Sequence, residues 1–375
     1  MDFGLRDDQE QLRSAVREYL EAELPTTFAR QSADSGAAFP EARWQDLAKL
    51  GWIGLAAPES VGGSGLGLLD LALVLEEAGR VVLPGPFVPT VALAMPLLAH
   101  AGALQADDGL VAGLIGGGRR AAVAWAGSLG SWEPGALEGS VERERDGYRL
   151  DARKLFVPEA GEATDLLVVL PLDDGAAVFV VPRDAAGVSV QQHRTVDRTQ
   201  RLFRVTLDGV HVPAGALVGG RPVARESLER VLDHARIGSA ALMVGAADRL
   251  MTMTVEYLGL REQFGRPLAT LQALQHRCAD MKVAVEHARS LVYYAAWAWD
   301  SRGDDAPLAA AMAKAFASEQ CPRVAADAIQ LHGGIGFTWE HDAQLFFKRL
   351  KAEEQAYGDA VANRERVAAF LERRG

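Results

Sequence analysis

The spacing of apolar residues changes twice along this chain. Up to about residue 115 apolar residues recur at helical intervals, as in residues 9–20. Between about 120 and 218, short β-rich runs alternate with turn dipeptides, and from about 224 helical spacing returns in longer segments. Strands do not alternate with helices, which argues against a doubly wound parallel sheet. It therefore predicts an α+β protein with a helical, a β and a second helical zone.

The first zone contains four predicted helices. They cover residues 9–20, 40–50, 68–79 and 90–101. The glycine-rich segment Gly62-Gly63-Ser64-Gly65 precedes the third helix. It lacks the G-x-x-x-x-G-K-S/T pattern of a phosphate loop and follows no strand-like run, so we interpret it as a plain loop.

The middle zone contains eight strand-like runs. They cover residues 121–125, 148–150, 155–157, 166–170, 177–181, 188–190, 203–207 and 210–212. Turn dipeptides occur at Asp146-Gly147, Asp174-Gly175 and Asp208-Gly209. This spacing predicts a small antiparallel barrel or sandwich.

The last zone predicts an antiparallel helix bundle. Its first helix, residues 225–261, is about 55 Å long at 1.5 Å per residue. The following helices cover residues 271–302, 307–331, 340–356 and 359–373. Pro307 suits the first turn of its helix, whereas Pro322 is expected to bend it. Helices this long usually bury surface against another subunit, so we expect an oligomer. The predicted domains are residues 1–118, 119–222 and 223–375.

Composition narrows the possible partners. The net charge of −11 argues against nucleic-acid binding, which requires a basic face. The N-terminus has no signal-like pattern and no apolar run is long enough to span a membrane, so we expect a cytoplasmic protein. Cys278 and Cys321 lack metal-ligand spacing, and we expect reduced thiols and no metal site.

The first candidate motif ends the 225–261 helix and runs from Arg261 to Pro267, with the sequence REQFGRP. Arg261 and Phe264 are three residues apart and share a helix face. A guanidinium beside an aromatic ring suits a ligand with a phosphate and a flat ring. The alternative is a helix end whose arginine offsets the helix dipole and whose phenylalanine is buried.

The second candidate motif is AIQLHGGIGF, residues 328–337. Gln330 stands near a predicted helix end, followed by Gly333 and Gly334. Glycines let the backbone approach a ligand closely, while an amide side chain recognises polar atoms. The alternative is a glycine-rich helix end without a ligand.

The order of the zones and the two motifs, about 70 residues apart, closely resemble the acyl-CoA dehydrogenase family over essentially the whole chain. The segments LGWIGLAAPE (50–59) and GIGFTWEHD (334–342) strengthen this resemblance, the second being typical of one bacterial branch. It implies FAD as cofactor, an acyl-CoA thioester as substrate, usually a tetramer, and an electron-transferring flavoprotein as electron acceptor.

The resemblance also implies roles for individual residues. Arg261 and Phe264 match positions that reach the FAD of a neighbouring subunit, with Arg261 on the pyrophosphate. Gln272 matches a nearby glutamine that contacts FAD. Gln330, Gly333 and Gly334 match the segment that holds the adenosine and pyrophosphate side.

The β zone departs from the family pattern. The family's T-E-P-x-x-G-S-D-like loop, whose hydroxyl groups contact flavin, corresponds here to WAGSLGSWEP (125–134). Ser128 or Ser131 remain as hydroxyl candidates. The family's aromatic-x-Thr segment is Phe156-Val157-Pro158, and proline supplies neither a hydroxyl nor an N–H.

The base is also missing from both family positions. A carboxylate normally removes the α-proton of the thioester. One family position holds Tyr357, and the other, before an arginine, holds Ala235 followed by Arg236. The nearby acids are Asp233, Asp359, Glu353 and Glu354; each is also interpretable as a solvated surface acid, and the catalytic residue stays unassigned.

Three functional hypotheses follow. In the first, the chain is one subunit of a heteromeric acyl-CoA dehydrogenase, resembling those that act on steroid side-chain thioesters, and completes the FAD site of a sister subunit. In the second, it is a self-sufficient homotetramer with an unassigned base. In the third, the scaffold performs other flavin chemistry, as an oxidase or monooxygenase, or has become a binding protein.

Overall fold

The computed structural model describes residues 4–105 and 109–373. The helices of the first zone are α1 (Asp7–Glu23), α2 (Thr26–Ser35), α3 (Glu41–Lys49), α4 (Leu68–Arg80), α5 (Phe87–Pro89), α6 (Met95–His100) and α7 (Leu110–Ile115). The predicted helices at 9–20, 40–50 and 68–79 thus correspond to α1, α3 and α4. The helix predicted at 90–101 consists of a π-helical turn, Thr90–Ala94, followed by α6.

The glycine-rich segment before α4 is a loop that satisfies its own backbone. The N–H groups of Gly62, Gly63, Ser64 and Gly65 donate to main-chain carbonyls at 2.9–3.0 Å. A phosphate loop needs such N–H groups for its ligand. The interpretation of this segment as a plain loop therefore agrees with the structure.

The middle zone forms two sheets. The strands are β1 (Ala121–Ala124), β2 (Ser140–Arg143), β3 (Gly147–Pro158), β4 (Asp165–Leu172), β5 (Gly175–Pro182), β6 (Val188–Gln192) and β7 (Leu202–Pro213). One sheet has the order β1-β4-β5 and the other β2-β3-β7-β6. They enclose one apolar core, a sandwich-like arrangement, and among the described residues they do not close into a barrel.

One strand pair differs from the predicted antiparallel pattern. β1 pairs with β4 in parallel, while the other pairs of these two sheets are antiparallel. Parallel neighbours need a long connection between them. Here β2 and β3, which belong to the other sheet, supply that connection.

The last zone consists of long helices. They are α8 (Arg225–Leu260), α9 (Gln272–Asp300), α10 (Ala306–His332), α11 (Ala343–Gln355) and α12 (Ala360–Glu372). A two-stranded hairpin, β8 (Glu262–Gln263) and β9 (Arg266–Pro267), connects α8 to α9. α10 continues through Pro322 without interruption.

By its internal contacts the chain divides into two compact units. The first contains the residues up to Gln31, Gly67–Leu83 and the residues from Arg236 onwards; the second contains Ser32–Leu66 and Pro84–Ala235. Both units draw on separate stretches of sequence, and α8 begins in one and continues in the other. The division into three domains at 118/119 and 222/223 stays a prediction.

Close backbone contact between α4 and α8 organises the first unit. A Cβ atom on Gly245 would lie 1.7 Å from the carbonyl oxygen of Glu76, and one on Gly79 would lie 2.0 Å from that of Leu242. Only glycine permits this approach. In the same unit the buried Glu76 carboxylate accepts hydrogen bonds from Arg289 at 2.9 Å and from Tyr293 at 2.8 Å.

Within residues 4–105 and 109–373, no helix combines the length and the apolar character that crossing a membrane requires.

Candidate functional site

The first motif forms the hairpin that follows α8. Phe264 and Gly265 are its two central residues, and both have positive φ angles, +55° and +73°. Positive φ at both central residues is the pattern of a primed two-residue turn, which favours glycine at the second position. The prediction that Arg261 and Phe264 share a helix face is wrong, because α8 ends at Leu260 and Phe264 lies in the turn of the hairpin. The side chain of Phe264 is 87% exposed.

Arg261 lies at the junction of α8 and the hairpin. Its N–H donates to the carbonyl of Tyr257 at 2.8 Å, and its carbonyl accepts the N–H of Leu268 at 2.9 Å. The backbone is therefore fixed, whereas the exposed guanidinium has no ion-pair or hydrogen-bond partner in the part of the chain that the structure describes. The buried phenylalanine of the alternative interpretation does not occur.

The second motif forms the end of α10 and the 3₁₀ turn Gly333–Phe337. Gln330 is exposed, and its amide makes no hydrogen bond among the described residues. Gly333 has a φ of +64°, and a Cβ on Gly333 or Gly334 would meet no atom within 4 Å. The backbone here is open to a ligand.

One aromatic contact brings the two motifs together. The ring of His332 stacks on Tyr257 with 4.7 Å between centroids. Tyr257 precedes Arg261 by one helical turn, and His332 directly precedes Gly333. The ends of α8 and α10 are thus neighbours. Gln272, the first residue of α9, is exposed, and its side chain makes no hydrogen bond within the described residues.

The positions where a base is expected are buried. Ala235 lies inside α8, and the Nε of the next residue, Arg236, donates to the carbonyl of Tyr357 at 3.2 Å. Tyr357 has a φ of +59°, a strained conformation for a tyrosine. Burial, followed by the Glu353 charge, raises the pKa of its phenol well above the usual value near 10. Tyr357 is therefore neutral and unsuited to accept a proton.

Glu353 belongs to a buried polar cluster, which comprises Ser239, Lys314, Ser318 and Glu353. Its carboxylate accepts a hydrogen bond from Ser239 at 2.7 Å. Lys314 donates to the Ser318 hydroxyl at 2.6 Å and to the carbonyl of Glu353 at 2.8 Å. Burial lowers the pKa of Lys314 to about 8, against the opposing effect of the Glu353 charge.

The other candidate acids also have structural partners or are enclosed. Asp359 caps α12, and its carboxylate accepts the N–H of Ala362 at 2.8 Å. Glu354 is paired with Lys351 on α11. Asp233 is buried on α8, two residues before Ala235. The interpretation as solvated surface acids is therefore wrong for Glu353 and Asp233.

Hydrogen bonds hold the loop at 125–134 of the β zone in place. The Ser128 hydroxyl and N–H both donate to the Glu138 carboxylate at 2.9 Å, and the Ser131 hydroxyl accepts the N–H of Glu133 at 3.2 Å. Below the loop, the buried Lys154 donates to the carbonyl of Trp125 at 3.0 Å. The hydroxyl groups of Ser128 and Ser131 thus already take part in hydrogen bonds that stabilise the loop.

Phe156 also adopts a special backbone conformation. It lies at an irregularity in the β3–β7 pairing, with a φ of +54°. Its ring packs on His193 with 5.3 Å between centroids.

Neither thiol nor acid groups indicate a metal centre. Cys278 and Cys321 are free thiols, and burial raises the pKa of Cys321 to about 12. Among the residues that the structure describes, no group of three or more His, Cys, Asp and Glu side chains is arranged to hold a metal ion.

Two family models match this chain. The model described as acyl-CoA dehydrogenase, N-terminal domain, matches residues 6–117, and the one described as acyl-CoA dehydrogenase, C-terminal domain, matches residues 225–372. Together they cover both helical zones.

Individual proteins match over nearly their whole length. The chain is 31% identical to acyl-CoA dehydrogenase FadE27 of Mycobacterium tuberculosis over 99% of each chain. Among solved structures, the ChsE4-ChsE5 complex of M. tuberculosis has a TM-score of 0.89 and 29% identity over 99% of each chain. A variant of the Tcur3481-Tcur3483 steroid enzyme has a TM-score of 0.86 and 33% identity over 98% of each chain.

Proposed function

Because this chain belongs to the acyl-CoA dehydrogenase family, we propose that it is one subunit of a heteromeric acyl-CoA dehydrogenase, in which it completes the FAD site of a sister subunit without supplying the base. Members of the family are oxidoreductases that act on CH–CH bonds and use FAD. When bound, FAD accepts the hydride that leaves the β-carbon of the acyl thioester.

The observation that carries this proposal is the half-site at the ends of α8 and α10. The Arg261 guanidinium, which has no partner among the described residues, suits one phosphate of the FAD diphosphate, because guanidinium pairs bidentately with phosphate oxygens. Phe264 presents an exposed ring, and Gln330 an amide without a partner in the described chain. Open backbone at Gly333 and Gly334 admits a ligand. These residues fit the group.

The β zone fits FAD less well. The loop hydroxyl of Ser128 is directed to Glu138, and Pro158 has no N–H to donate. In a heteromeric enzyme the sister subunit would supply the flavin-side contacts. This chain would then contribute its half-site and not a complete pocket.

The candidate acids also support a heteromeric enzyme in which another subunit supplies the base. A base must be able to reach the α-proton and to change its protonation state without disturbing the fold. Glu353 is bonded to Ser239, and Asp359 caps a helix. Tyr357 and Ala235 cannot replace them. The sister subunit would therefore carry the carboxylate.

Two of the similar structures bear on the arrangement. Each is named as a pair of different chains, and one of them is named as a steroid enzyme. We propose a steroid or related bulky acyl-CoA thioester as substrate and an electron-transferring flavoprotein as electron acceptor.

The test compares the chain alone with the chain co-expressed with a sister subunit that has the missing glutamate. We expect the chain alone to lack stoichiometric flavin absorbance, and the complex to bind FAD and to be bleached by acyl-CoA. Stoichiometric FAD that acyl-CoA bleaches in the chain alone would establish a self-sufficient enzyme instead. Fast reoxidation of the reduced flavin by oxygen would indicate an oxidase or monooxygenase.

A matched pair of arginine variants tests the half-site. Arg261→Ala should weaken FAD binding by the complex about 10- to 100-fold, the range of one lost charge-assisted contact. Arg323→Ala is the control, because Arg323 is also exposed and unpaired within the described residues but lies in the middle of α10. Equal FAD affinity for the Arg261 variant and wild type would contradict the assignment.

A further inference from the structure

His332 occupies a buried position between the two motifs. It is the last residue of α10, 3% exposed, and its Nδ1 lies 2.8 Å from the carbonyl oxygen of Ala328. A carbonyl only accepts hydrogen bonds, so Nδ1 carries the proton and Nε2 has the lone pair in the neutral ring. Nε2 is buried and has no hydrogen-bond partner among the described residues.

The ring packs between aromatic groups from two other elements. Tyr257 of α8 stacks on one side at 4.7 Å, and His341, which precedes α11, lies at 4.4 Å. His341 accepts the N–H of Ala343 through Nδ1 at 3.1 Å, so its own proton resides on Nε2. The neutral His332 ring therefore connects the end of α8 to the segment that begins at Gly333.

Charging this ring would disturb the contact. A proton on Nε2 would create a buried donor without an acceptor, next to a second imidazole. Burial, and to a smaller extent His341, lowers the pKa of His332, while its bond to Ala328 opposes the shift. The neutral ring is thus the form that the folded packing selects.

The charged groups near His332 would not compensate for a positive charge on its ring. Asp342 is held by Thr26 at 2.6 Å and by Arg30 at 2.5 Å, and both come from α2. Burial lowers the pKa of His341, Arg30 lowers it further, and Asp342 opposes them. From α8, Tyr257 presents the face of its ring.

We propose that His332 is a positioning residue whose neutral ring holds the ends of α8 and α10 together, so that acidification loosens the half-site and releases FAD. This inference rests on the proposed function, since it concerns the same half-site. When the half-site opens, the pKa of the His332 ring returns to about its ordinary value of 6.5. As the pH falls, the open form therefore takes up a proton before the closed form does. Lowering the pH from neutral to 5.5 then shifts the equilibrium between the closed and the open form toward the open form by at most about tenfold.

The first experiment titrates the flavin-stripped complex with FAD at pH 7.5 and pH 5.5, following flavin fluorescence. We expect binding to weaken about tenfold at pH 5.5 in the wild type and to change little with pH in His332→Phe, which retains a stacking ring. His211→Phe is the control, because His211 is exposed on β7 and should retain the wild-type pH dependence. Equal pH dependence in wild type and His332→Phe would overturn the proposal.

The second experiment does not depend on FAD. Hydrogen exchange of the amides in 333–337 and 261–267 is measured on the flavin-free chain at both pH values, after correction for the intrinsic exchange rate. Protection should fall about tenfold at pH 5.5 in the wild type but not in His332→Asn, which can donate to Ala328 without titrating. Acid-sensitive protection without FAD binding would refute the proposed function alone, whereas unchanged protection in the wild type would refute the role of His332.

Discussion

Glu353→Gln replaces the carboxylate of the buried cluster with a neutral amide of nearly the same shape. Lys314 would then lose the negative charge that most raises its pKa, and would keep the hydrogen bonds to the Ser318 hydroxyl and to main-chain carbonyls. Removing the charge that stabilises another buried charge costs about 3–5 kcal/mol, because the remaining charge stays desolvated. We expect the free energy of unfolding to fall by about 3 kcal/mol.

The pKa shift of Lys314 gives an independent measure of the free energy involved in burying this charge. Burial lowers its pKa from about 10.5 to about 8, and at about 1.4 kcal/mol per tenfold change this corresponds to roughly 3 kcal/mol for keeping the ammonium charged. Between pH 8 and 10.5 the unfolded chain binds the proton that the folded chain has released. The contribution of Lys314 to the free energy of unfolding therefore rises with pH between pH 8 and 10.5.

A double-mutant cycle separates the pair from its surroundings. Lys314→Met should cost about 3 kcal/mol, because the buried Glu353 carboxylate loses a nearby positive charge, but the double variant should cost only about 1–2 kcal/mol, because neither member of the pair is then desolvated. Urea unfolding at a fixed protein concentration measures all three variants, and the pH 8–10.5 rise should disappear in Lys314→Met.

The same variants test catalysis. If Glu353 is structural, turnover per bound FAD in the Glu353→Gln complex should match the wild type. Additive losses in the cycle would show that the two charges do not stabilise each other. Unchanged stability together with lost turnover would identify Glu353 as the base and favour a self-sufficient enzyme.

Three further predictions concern the fold and the half-site. Gly245→Ala should destabilise the chain by more than about 2 kcal/mol in urea unfolding, because its Cβ would lie 1.7 Å from the Glu76 carbonyl, with Gly259→Ala, which meets no atom, as control. Asp359→Ala should cost about 1 kcal/mol through loss of the α12 cap, and Asp359→Asn much less. Phe264→Ser should leave unfolding of the isolated chain unchanged, because the ring is 87% exposed, yet weaken FAD binding by the complex in a fluorescence titration.

The motifs at the end of α8 and in 328–337 were accessible to sequence reasoning for a local reason. A helix end marked by Phe264-Gly265, and another marked by Gly333-Gly334, depend on the backbone preferences of a few consecutive residues. The exposure of Phe264 did not follow from its sequence, since an aromatic residue beside a helix is more often buried. Only packing decided that no part of the described chain covers it.

The acids show the opposite case. Three of the candidate acids, Glu353, Glu354 and Asp359, lie within one seven-residue segment. The sequence pattern around them does not show which of them is buried. For one of the three, Glu353, the partners come from distant positions: Ser239 of α8 donates to its carboxylate and Lys314 of α10 to its carbonyl. The carboxylates of Glu354 and Asp359 pair locally, with Lys351 and with the N–H of Ala362. Local pattern reveals a helix cap such as Asp359 but not a carboxylate buried by long-range contacts.

The sequence alone therefore determined the order of helical and β zones, the two motifs and the family they resemble, because periodicity and turn chemistry act over a few residues. The tertiary structure decided that β1 and β4 run parallel, that the candidate acids are bonded or enclosed, and that His332 joins the two motifs. Those features depend on which distant segments the hydrophobic core brings together, and a buried charge or ring acquires its chemistry only from the neighbours it receives there.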